Sequence, residues 1–440
     1  MKKSNIVLII ILVMLLVVAW GSSLVGLLSN SQERNVLMQQ AQQYSDKGLY
    51  QKAIICYDQA LAQKDDRKTR DLWLEAHKNA FSDGAIELRP YAEAMKYMCD
   101  EYPKEAFYWE MLISTYIENG DLNNAYNSYE RCRRVGAVSE IISKYGREIM
   151  HTFSVRGRSY PSYVCNAQGY YSVYDGAEWG VLDASGDTVY DTIYEYISPY
   201  NLINEALYVA DGDQRIINEK SVVQQKIDIE YSRTGAYSDG ILPVCDANDV
   251  WRYLDCRTNS YFDGEYENAS NYMNGIAVVC KNGNWMLIDC DGEQVGNTTF
   301  TDIKLHSNGD YAYDGIMIAA VNAEYGFYNE KGELLTEFKA KDMDVFKGGP
   351  VAFADNTSKW GFVSKDGKVT LKPQFVYAKS FSNKLAAISD GSQWGFVDQN
   401  GNVVIEQQFI DAGYFTKQGT CMVSVQEGFY NLLKLKFLDK

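Results

Sequence analysis

The sequence predicts a multidomain chain with an N-terminal transmembrane helix, an α-helical repeat segment and a C-terminal all-β repeat domain. Three observations support this prediction. Residues 6–28 form an uncharged run, hydrophobic positions recur every 36 residues in the segment that follows, and an aromatic–glycine motif recurs in the last two thirds of the chain. A fixed period of this size is the signature of repeat architecture. We therefore place the domain boundaries at 1–30, 33–150 and 160–440.

The N-terminal run follows Lys2 and Lys3 and contains no charged side chain between residues 6 and 28. As a helix it would be about 34 Å long, enough to cross a hydrocarbon core of about 30 Å. Lysines before the run indicate a cytoplasmic N-terminus, and no small-residue cleavage site precedes Gly21. The pattern predicts an uncleaved, single-pass anchor in the cell membrane, with the body of the protein outside the cytoplasm.

The second segment has a helical pattern whose lead positions are Leu37, Trp73, Trp109 and Tyr145, each 36 residues after the one before. Residues 138–149 are expected to form a capping helix. This arrangement resembles tetratricopeptide repeats, whose usual period is about 34 residues. The resemblance implies stacked helical hairpins with a concave groove that binds a protein partner. An irregular bundle of α-hairpins without a groove is the alternative.

In such an array the first helix of each unit lines the groove. The lead positions predict which side chains face it, and these carry few positive charges, so the groove would suit an amphipathic or neutral segment. The groove could instead be filled by the linker or by the β domain. The candidate partner-binding residues here are Met38, Gln42, Asp46, Leu74, Lys78, Phe107, Glu110 and Ser114.

The third segment is built on a repeated motif, seen most clearly at residues 394–401 (WGFVDQNG), 360–367 (WGFVSKDG) and 325–332 (YGFYNEKG). Alternation of aromatic and small or polar residues predicts a strand, and the glycine that closes each motif predicts a hairpin turn. A return strand follows, and a small apolar strand precedes the next motif. Each unit is therefore expected to be an antiparallel meander of three or four strands. We interpret the glycine after the tryptophan as making room for a neighbouring aromatic ring.

These units resemble the WG-repeat family of bacterial β-repeats. The resemblance implies a β-repeat fold and a role in interactions, and it carries no agreed catalytic residues. About eight units are expected, closed into a β-propeller or, alternatively, stacked as an open β-solenoid. We favour the propeller because no polar capping unit ends the chain. The repeat aromatics predicted to form the core are Trp179, Trp251, Trp285, Tyr325, Trp360 and Trp394.

Three units, at 214, 251 and 285, depart from the motif because Arg215, Arg252 and Met286 replace the glycine, and the two arginines are the candidates for binding. Substitution away from a packing consensus costs stability unless another role compensates. We therefore regard these two arginines as a rival partner-binding site on the β domain.

The sequence shows no pattern that predicts a catalytic, metal-binding or cofactor-binding residue. The three histidines, His77, His151 and His306, are widely spaced and fit no zinc-site pattern. Residues 183–187 and 289–293 could be imagined as calcium loops, but both fall at the hairpin-turn position of the repeat, so turn chemistry explains them. Nine cysteines leave at least one unpaired.

The net charge and the tyrosine content narrow the class of partner that the protein could bind. The net charge of −16 argues against a nucleic-acid partner. We predict a membrane-anchored scaffold that binds a protein partner. The alternatives are a cell-wall or carbohydrate binder that stacks sugars on the surfaces of its 34 tyrosines, and an enzyme with its site in a β-repeat channel. The sequence favours a protein that is not an enzyme and needs no cofactor.

Overall fold

The computed structural model describes residues 32–199, 206–218, 220–227, 231–238 and 240–438. The chain divides into two compact units, and the boundary lies between Ile149 and Met150. The first unit is helical and the second consists of β-strands.

Seven helices are described in the first unit, and consecutive helices from α2 to α6 pack against one another. Gly48, Gly84 and Gly120 follow α1, α3 and α5 with φ of +71°, +72° and +72°. These glycines lie 36 residues apart (84 − 48, 120 − 84), which is the period predicted from the sequence. At each helix end a residue in the left-handed conformation allows the last carbonyl groups of the helix to be hydrogen-bonded. The bounds are α1 32–46, α2 Tyr50–Gln63, α3 Arg67–Ser82, α4 Leu88–Glu101, α5 Ala106–Glu118, α6 Leu122–Val135 and α7 Glu140–Met150.

The predicted membrane anchor requires a correction. Among the residues that the structure describes, no helix is both long enough and apolar enough to cross a membrane. The segment predicted to do so, residues 6–28, lies outside the described residues. The single-pass membrane topology and the extracytoplasmic localisation are therefore withdrawn, and the fold class is corrected to a helical unit followed by a β-propeller.

The strands of the second unit form eight antiparallel sheets in the part of the chain that is described. Consecutive strands pair within seven of them, and in the eighth the first strand of the unit pairs with the last. We number these sheets as blades. Blade 1 contains β2 Ser162–Cys165, β3 Tyr171–Tyr174, β4 Trp179–Leu182 and β5 Thr188–Tyr194; blade 2 β6 Tyr196–Ile197, β7 Ala206–Asp211, β8 Asp213–Asn218 and β9 Val223–Lys226; blade 3 β10 Arg233–Thr234, β11 Ile241–Cys245, β12 Trp251–Asp255 and β13 Ser260–Tyr261; blade 4 β14 Asn268–Ala269, β15 Ile276–Lys281, β16 Asn284–Asp289 and β17 Gln294–Phe300.

The remaining blades repeat the pattern with one shorter sheet. Blade 5 has three strands, and isolated bridges such as Tyr325–Ala340 continue its outer edge. Blade 5 contains β18 Asp302–Ile303, β19 Ile316–Val321 and β20 Glu324–Asn329; blade 6 β21 Asp342–Met343, β22 Val351–Ala354, β23 Trp360–Val363 and β24 Val369–Phe375; blade 7 β25 Tyr377–Ala378, β26 Leu385–Ser389, β27 Trp394–Asp398 and β28 Val403–Phe409; blade 8 β29 Asp411–Ala412, β30 Thr420–Gln426, β31 Phe429–Leu435 and β1 Phe153–Tyr160.

Blade 8 closes the ring. Its outer strand is β1, which precedes all the other strands in the chain and pairs with β31 from Phe153–Leu435 to Tyr160–Tyr430. Backbone hydrogen bonds between the two ends of the unit remove the open edges that a solenoid would leave. The predicted propeller is therefore confirmed, with eight blades, and the open-solenoid alternative is wrong.

The glycine of the repeat motif has a different role from the one inferred from the sequence. In blade 7, Trp394 pairs with Phe409 and Phe396 pairs with Ile405, so the outer strand has two extra residues opposite Gly395. A Cβ atom on Gly395 would lie 2.5 Å from the carbonyl oxygen of Ile405. Gly180 and Gly361 face the same bulge in blades 1 and 6. The glycine makes room for the backbone of the next strand and not for an aromatic ring.

The repeat tryptophans are less buried than expected. Trp360 and Trp394 are partly exposed, whereas Phe362 and Phe396, two residues later on the same strand face, are 0% exposed. Each phenylalanine lies in the apolar cluster between its own blade and the next. Of the six predicted core aromatics, Trp285 is buried, and Trp179, Trp251, Tyr325, Trp360 and Trp394 pack at the rims of these clusters.

Candidate functional site

The loops that join the first and second strands of blades 1 and 3 to 8 line a cavity of about 840 Å³. One position of each loop recurs in its lining, and we call it the axial position. In blades 3, 4, 5 and 7 its residue forms a backbone bridge with the first residue of the second strand, three positions later. In blades 6 and 8 the loop is one residue longer than in blade 7, and the equivalent residue follows the loop phenylalanine, four positions before the second strand. The axial residues of blades 3 to 8 are Ser238, Met273, Tyr313, Lys347, Ser382 and Thr416, and all of them line the cavity.

Blade 5 supplies a plug that forms part of the lining of this cavity. Its loop between β18 and β19 has twelve residues (304–315), whereas the matching loop of blade 7 has six (379–384). The Ser307 hydroxyl donates a hydrogen bond to the carbonyl oxygen of Cys165 in blade 1, 3.1 Å away. Blade 1 lies four blades from blade 5 in the ring of eight, so the extra residues cross the propeller axis.

Buried amides hold the plug in place. Asn271 of blade 4 donates its side-chain N–H groups to the Asn308 carbonyl at 2.7 Å and to the Asp310 carboxylate at 2.8 Å. The Asn308 side chain donates to the other oxygen of Asp310, also at 2.7 Å. The Asn271 oxygen accepts the backbone N–H of Ala236 from blade 3 at 2.7 Å. These bonds satisfy polar groups that burial would otherwise penalise.

Lys347 is the axial residue of blade 6 and has no such partner. Its side chain lines the cavity, and the residue is 9% exposed. The ammonium group forms no hydrogen bond or ion pair with any residue that the structure describes, and its nearest aromatic contact is the Tyr414 ring, whose centroid is 5.0 Å away. Burial lowers the pKa of Lys347, while Cys165, Asp344 and Asp310 act in the opposite direction. Burying an unpaired charge is costly, so this lysine is an exception among the axial residues.

The two carboxylates near Lys347 are already occupied by neutral donors. Asp310 accepts hydrogen bonds from the side-chain amides of Asn271 in blade 4 and Asn308 in the plug, and burial raises its pKa. Asp344 accepts the Ser380 backbone N–H of blade 7 at 2.6 Å and the Tyr414 hydroxyl of blade 8 at 2.8 Å. Both groups stay close enough to attract the ammonium without contacting it. The cavity therefore contains a cation whose direct partner is missing from the described chain.

His306 lies in the plug below, and burial together with the nearby Lys347 charge holds the pKa of its imidazole well below the ordinary value. Its Nδ1 atom has no hydrogen-bond partner among the described residues. In the helical unit, His77 is also buried, and its Nδ1 lies 2.9 Å from the Trp73 carbonyl oxygen. Within the described residues no group of three or more His, Cys, Asp or Glu side chains could hold a metal ion.

The turn interpretation of the acidic loops agrees with their geometry. One carboxylate oxygen of Asp183 accepts the backbone N–H groups of Ser185 at 2.8 Å and Asp187 at 2.9 Å. The Asp289 carboxylate does the same for Asp291 and Glu293, at 3.0 and 2.9 Å. These oxygens fix the hairpin turns of their blades.

The candidate residues of the helical unit do not form one uniform surface. Leu74 is 4% exposed, because it packs inside the helical core, and it offers no contact surface. Phe107 is 60% exposed and Lys78 is also exposed. Gln42 donates to Asp46 at 2.8 Å, and both are exposed. Met38, Glu110 and Ser114 are partly exposed, and Ser114 donates to the Met111 carbonyl at 3.1 Å. Their role in binding stays a prediction.

The two arginines that replace glycine form local ion pairs. Arg215 lies 3.2 Å from Asp211. Arg252 lies 3.2 Å from Asp246 and 2.5 Å from Glu265, and the carboxylates raise its pKa. These contacts give both arginines a place in their own blades. Binding of a partner by either residue stays a prediction.

Sequence reasoning missed the central cavity, although two signals were present. The interval from Trp285 to Tyr325 is 40 residues (325 − 285), longer than the 34 and 35 that follow, and the excess is the plug of blade 5. At the axial position, Lys347 is the one charged residue among Ser238, Met273, Tyr313, Lys347, Ser382 and Thr416. A comparison of the repeats position by position would have detected both.

Comparisons with known proteins agree with part of this description. The family described as WG containing repeat matches residues 262–285, 360–392 and 394–428. The match does not extend into the helical unit, so it does not confirm the tetratricopeptide resemblance. No curated protein matches the sequence.

Among solved structures, the chain is similar to the computationally designed Ika8 protein, with 12% identity, a TM-score of 0.40, and coverage of 65% of this chain and 99% of that one. BamB from Moraxella catarrhalis gives 10% identity and a TM-score of 0.40, with coverage of 64% and 100%. A chain of a mitotic checkpoint complex gives 10% identity and a TM-score of 0.33, with coverage of 63% and 86%.

Proposed function

We propose that this protein is a protein-binding scaffold whose propeller receives a segment of its partner in the axial cavity. The observation that carries the proposal is the convergence of the axial residues of six consecutive blades on one cavity. Its volume of about 840 Å³ falls in the range of known ligand sites, about 300–1,000 Å³. Loops on a rigid scaffold are where binding residues concentrate, and WG repeats are present in the blades that form the site.

A binding role fits the lining better than catalysis. The Asp310 and Asp344 carboxylates accept hydrogen bonds from amide and hydroxyl donors that fix the plug and the blade walls. Carboxylates held in this way keep the plug and the walls of the cavity in position. A general acid or base needs a free path to the reacting proton.

The tyrosines give less support to the carbohydrate alternative. Stacking of sugar rings needs exposed aromatic faces. Within the described residues, Tyr261 and Tyr377 are the most exposed tyrosines, at 46% and 53%. Rings such as Tyr208, Tyr253 and Tyr272 are buried inside or between blades. The described tyrosines therefore contribute more to packing within and between blades than to an exposed surface that could stack sugars.

Site-specific photo-crosslinking in cells that express the protein tests the proposal. A photoreactive amino acid replaces Asn383 at the cavity mouth, Phe107 on the helical unit, or the exposed Lys372 on β24 as a matched control. We expect Asn383 to give one dominant protein adduct that is absent at Lys372. An adduct at Phe107 alone would move binding to the helices. Equal labelling at all three positions, or none at Asn383, would contradict the proposal.

A further inference from the structure

We propose that Lys347 is the anchor of a carboxylate-binding subsite, and that the cavity takes an acidic segment of the partner protein. This inference rests on the proposed function, because it names the chemistry of the segment that the cavity receives. Three features of the cavity support this assignment: an unpaired buried cation, the charge of the lining around it, and the size of the space in front of it.

The first feature is the cation. Lys347 is 9% exposed, yet its ammonium group has no hydrogen bond or ion pair within the described chain. A long, flexible side chain with a charge would normally reach water or a carboxylate. The nearby Asp344 and Asp310 are held elsewhere, by Tyr414 and by two amides. A ligand carboxylate would supply the missing partner through a charge-assisted hydrogen bond.

The second feature is the lining charge. Lys384 and Lys417 are exposed lining residues in the equivalent loops of blades 7 and 8, the two blades that follow the blade of Lys347 in the ring. Among the described residues of the lining, three are lysines and two, Asp310 and Asp314, are acidic. Asp344 lies near Lys347 but outside this lining, and its carboxylate is hydrogen-bonded to Ser380 and Tyr414, so lysines are the more numerous charged residues on the described lining itself, in a chain of net charge −16. Such a field steers an acidic segment toward the mouth.

The third feature selects a carboxylate over a phosphate, and a segment over a small anion. The described residues of the lining include no arginine, the residue that binds planar or multiply charged anions with paired N–H groups. One buried ammonium balances one negative charge, and the two aspartates disfavour a second. The cavity of about 840 Å³ exceeds the needs of a single carboxylate, and the exposed lysines extend the positive surface outward.

The test measures binding of a fluorescent hexaglutamate peptide with an amidated C-terminus to the full chain by fluorescence polarisation. Hexaglutamine is the matched neutral peptide. Citrate and inorganic phosphate serve as competitors that distinguish a small carboxylate or a phosphate from a peptide. We expect hexaglutamate to bind, hexaglutamine not to bind, and affinity to fall as salt rises.

Variants then locate the site. Lys347→Gln is expected to weaken hexaglutamate binding by about tenfold or more, because it removes a buried ionic partner. Lys347→Arg retains part of the affinity. Lys372→Gln, which changes an exposed lysine on β24, leaves it unchanged and controls for net charge. Circular dichroism melting of each variant confirms that the propeller still folds.

Equal binding by Lys347→Gln and wild type would overturn the inference, as would equal binding of the two peptides. Stronger competition by citrate or phosphate than by unlabelled hexaglutamate would also overturn it, in favour of a small-anion site. Crosslinking at Asn383 combined with Lys347-independent peptide binding would leave the scaffold function standing without the carboxylate subsite. Lys347-dependent binding without any cellular adduct would retain the subsite and reject the scaffold function.

Discussion

The Tyr414 hydroxyl of blade 8 lies 2.8 Å from each carboxylate oxygen of Asp344 in blade 6. Between them, the backbone N–H of Ser380 in blade 7 donates to the same carboxylate at 2.6 Å. Three consecutive blades thus meet at one side chain. The Asp344 carboxylate is therefore hydrogen-bonded to residues of blades 7 and 8. Lys347, three residues later in the chain, lines the cavity and forms no ion pair with Asp344.

The glycine of the repeat motif gives the first prediction. Gly395→Ala is expected to destabilise the propeller by about 1–3 kcal/mol, because the new Cβ would overlap the bulged strand that carries Ile405 and Gln407. Urea denaturation followed by tryptophan fluorescence measures the loss. Gly157→Ala in β1 is the control, since no atom lies within 4 Å of the Cβ position there and its φ is not positive. Equal stability of the two variants would contradict the bulge account.

The second prediction concerns the aromatic pair of the same motif. Phe396→Ala should cost about 3–5 kcal/mol, because its ring is fully buried between blades 7 and 8. Trp394→Ala should cost less, since its ring is partly exposed and its contacts include the Lys379 ammonium, 4.9 Å from the ring centroid. The free energies of unfolding of the two variants are compared under the same conditions. A larger loss at Trp394 would show that the tryptophan is the main packing residue after all.

The third prediction concerns ring closure. Asn431 is 7% exposed and donates to the carbonyl oxygens of Arg156 and Arg158, both at 3.2 Å, where the pairing of β1 and β31 is irregular. Asn431→Ala leaves these carbonyls without their donor and should lower the free energy of unfolding by about 1–3 kcal/mol. Asn402→Ala, in an exposed turn, is the control. If both changes are equally mild, the bridge contributes little to closure.

The sequence was sufficient to predict the β-propeller and the helical period because both depend on local patterns that repeat. The hairpin turns at Asp183 and Asp289 show this, since each is fixed by bonds within five residues. The cavity depends on contacts between distant positions, such as Ser307 with Cys165, which no local pattern encodes. Burial was also misjudged for Trp360 and Trp394, because the bulge opposite the glycine shifts the strand pairing around them.

The fourth prediction follows from His306. Because burial holds its folded-state pKa well below the ordinary value of 6.5, the unfolded chain binds this proton more readily. Stability is therefore expected to fall as pH decreases below about 6.5. His306→Gln should make this slope shallower between pH 6.5 and the folded pKa. His77→Gln is the comparison, since His77 is also buried with a lowered pKa but lies in the helical unit. Thermal melts at several pH values give the slope of stability against pH for each variant. A slope that stays unchanged in both variants would contradict the link between the buried histidines and acid destabilisation.

The last prediction concerns the stability cost of Lys347. Its pKa is lowered by burial, so the folded state binds the proton less tightly than the unfolded chain, whose ordinary pKa is 10.5. The penalty is fully present below the folded pKa and disappears as pH rises to 10.5. Lys347→Met should therefore raise the free energy of unfolding by about 1 kcal/mol or more at neutral pH, and the gain should shrink in alkaline solution. Lys372→Met, at an exposed site, should show no such pH-dependent gain.

A binding residue that reduces stability in the free protein should increase it when its ligand is present. We expect hexaglutamate to raise the melting temperature of the wild-type chain by mass action and to leave Lys347→Met nearly unchanged. Without the peptide, wild type should be less stable than Lys347→Met, because the unpaired ammonium group is costly. With the peptide, wild type should be the more stable protein, because the ammonium group is then paired. A Lys347→Met protein that is less stable than wild type in both conditions would show that Lys347 serves the packing of blade 6 and not the capture of a ligand.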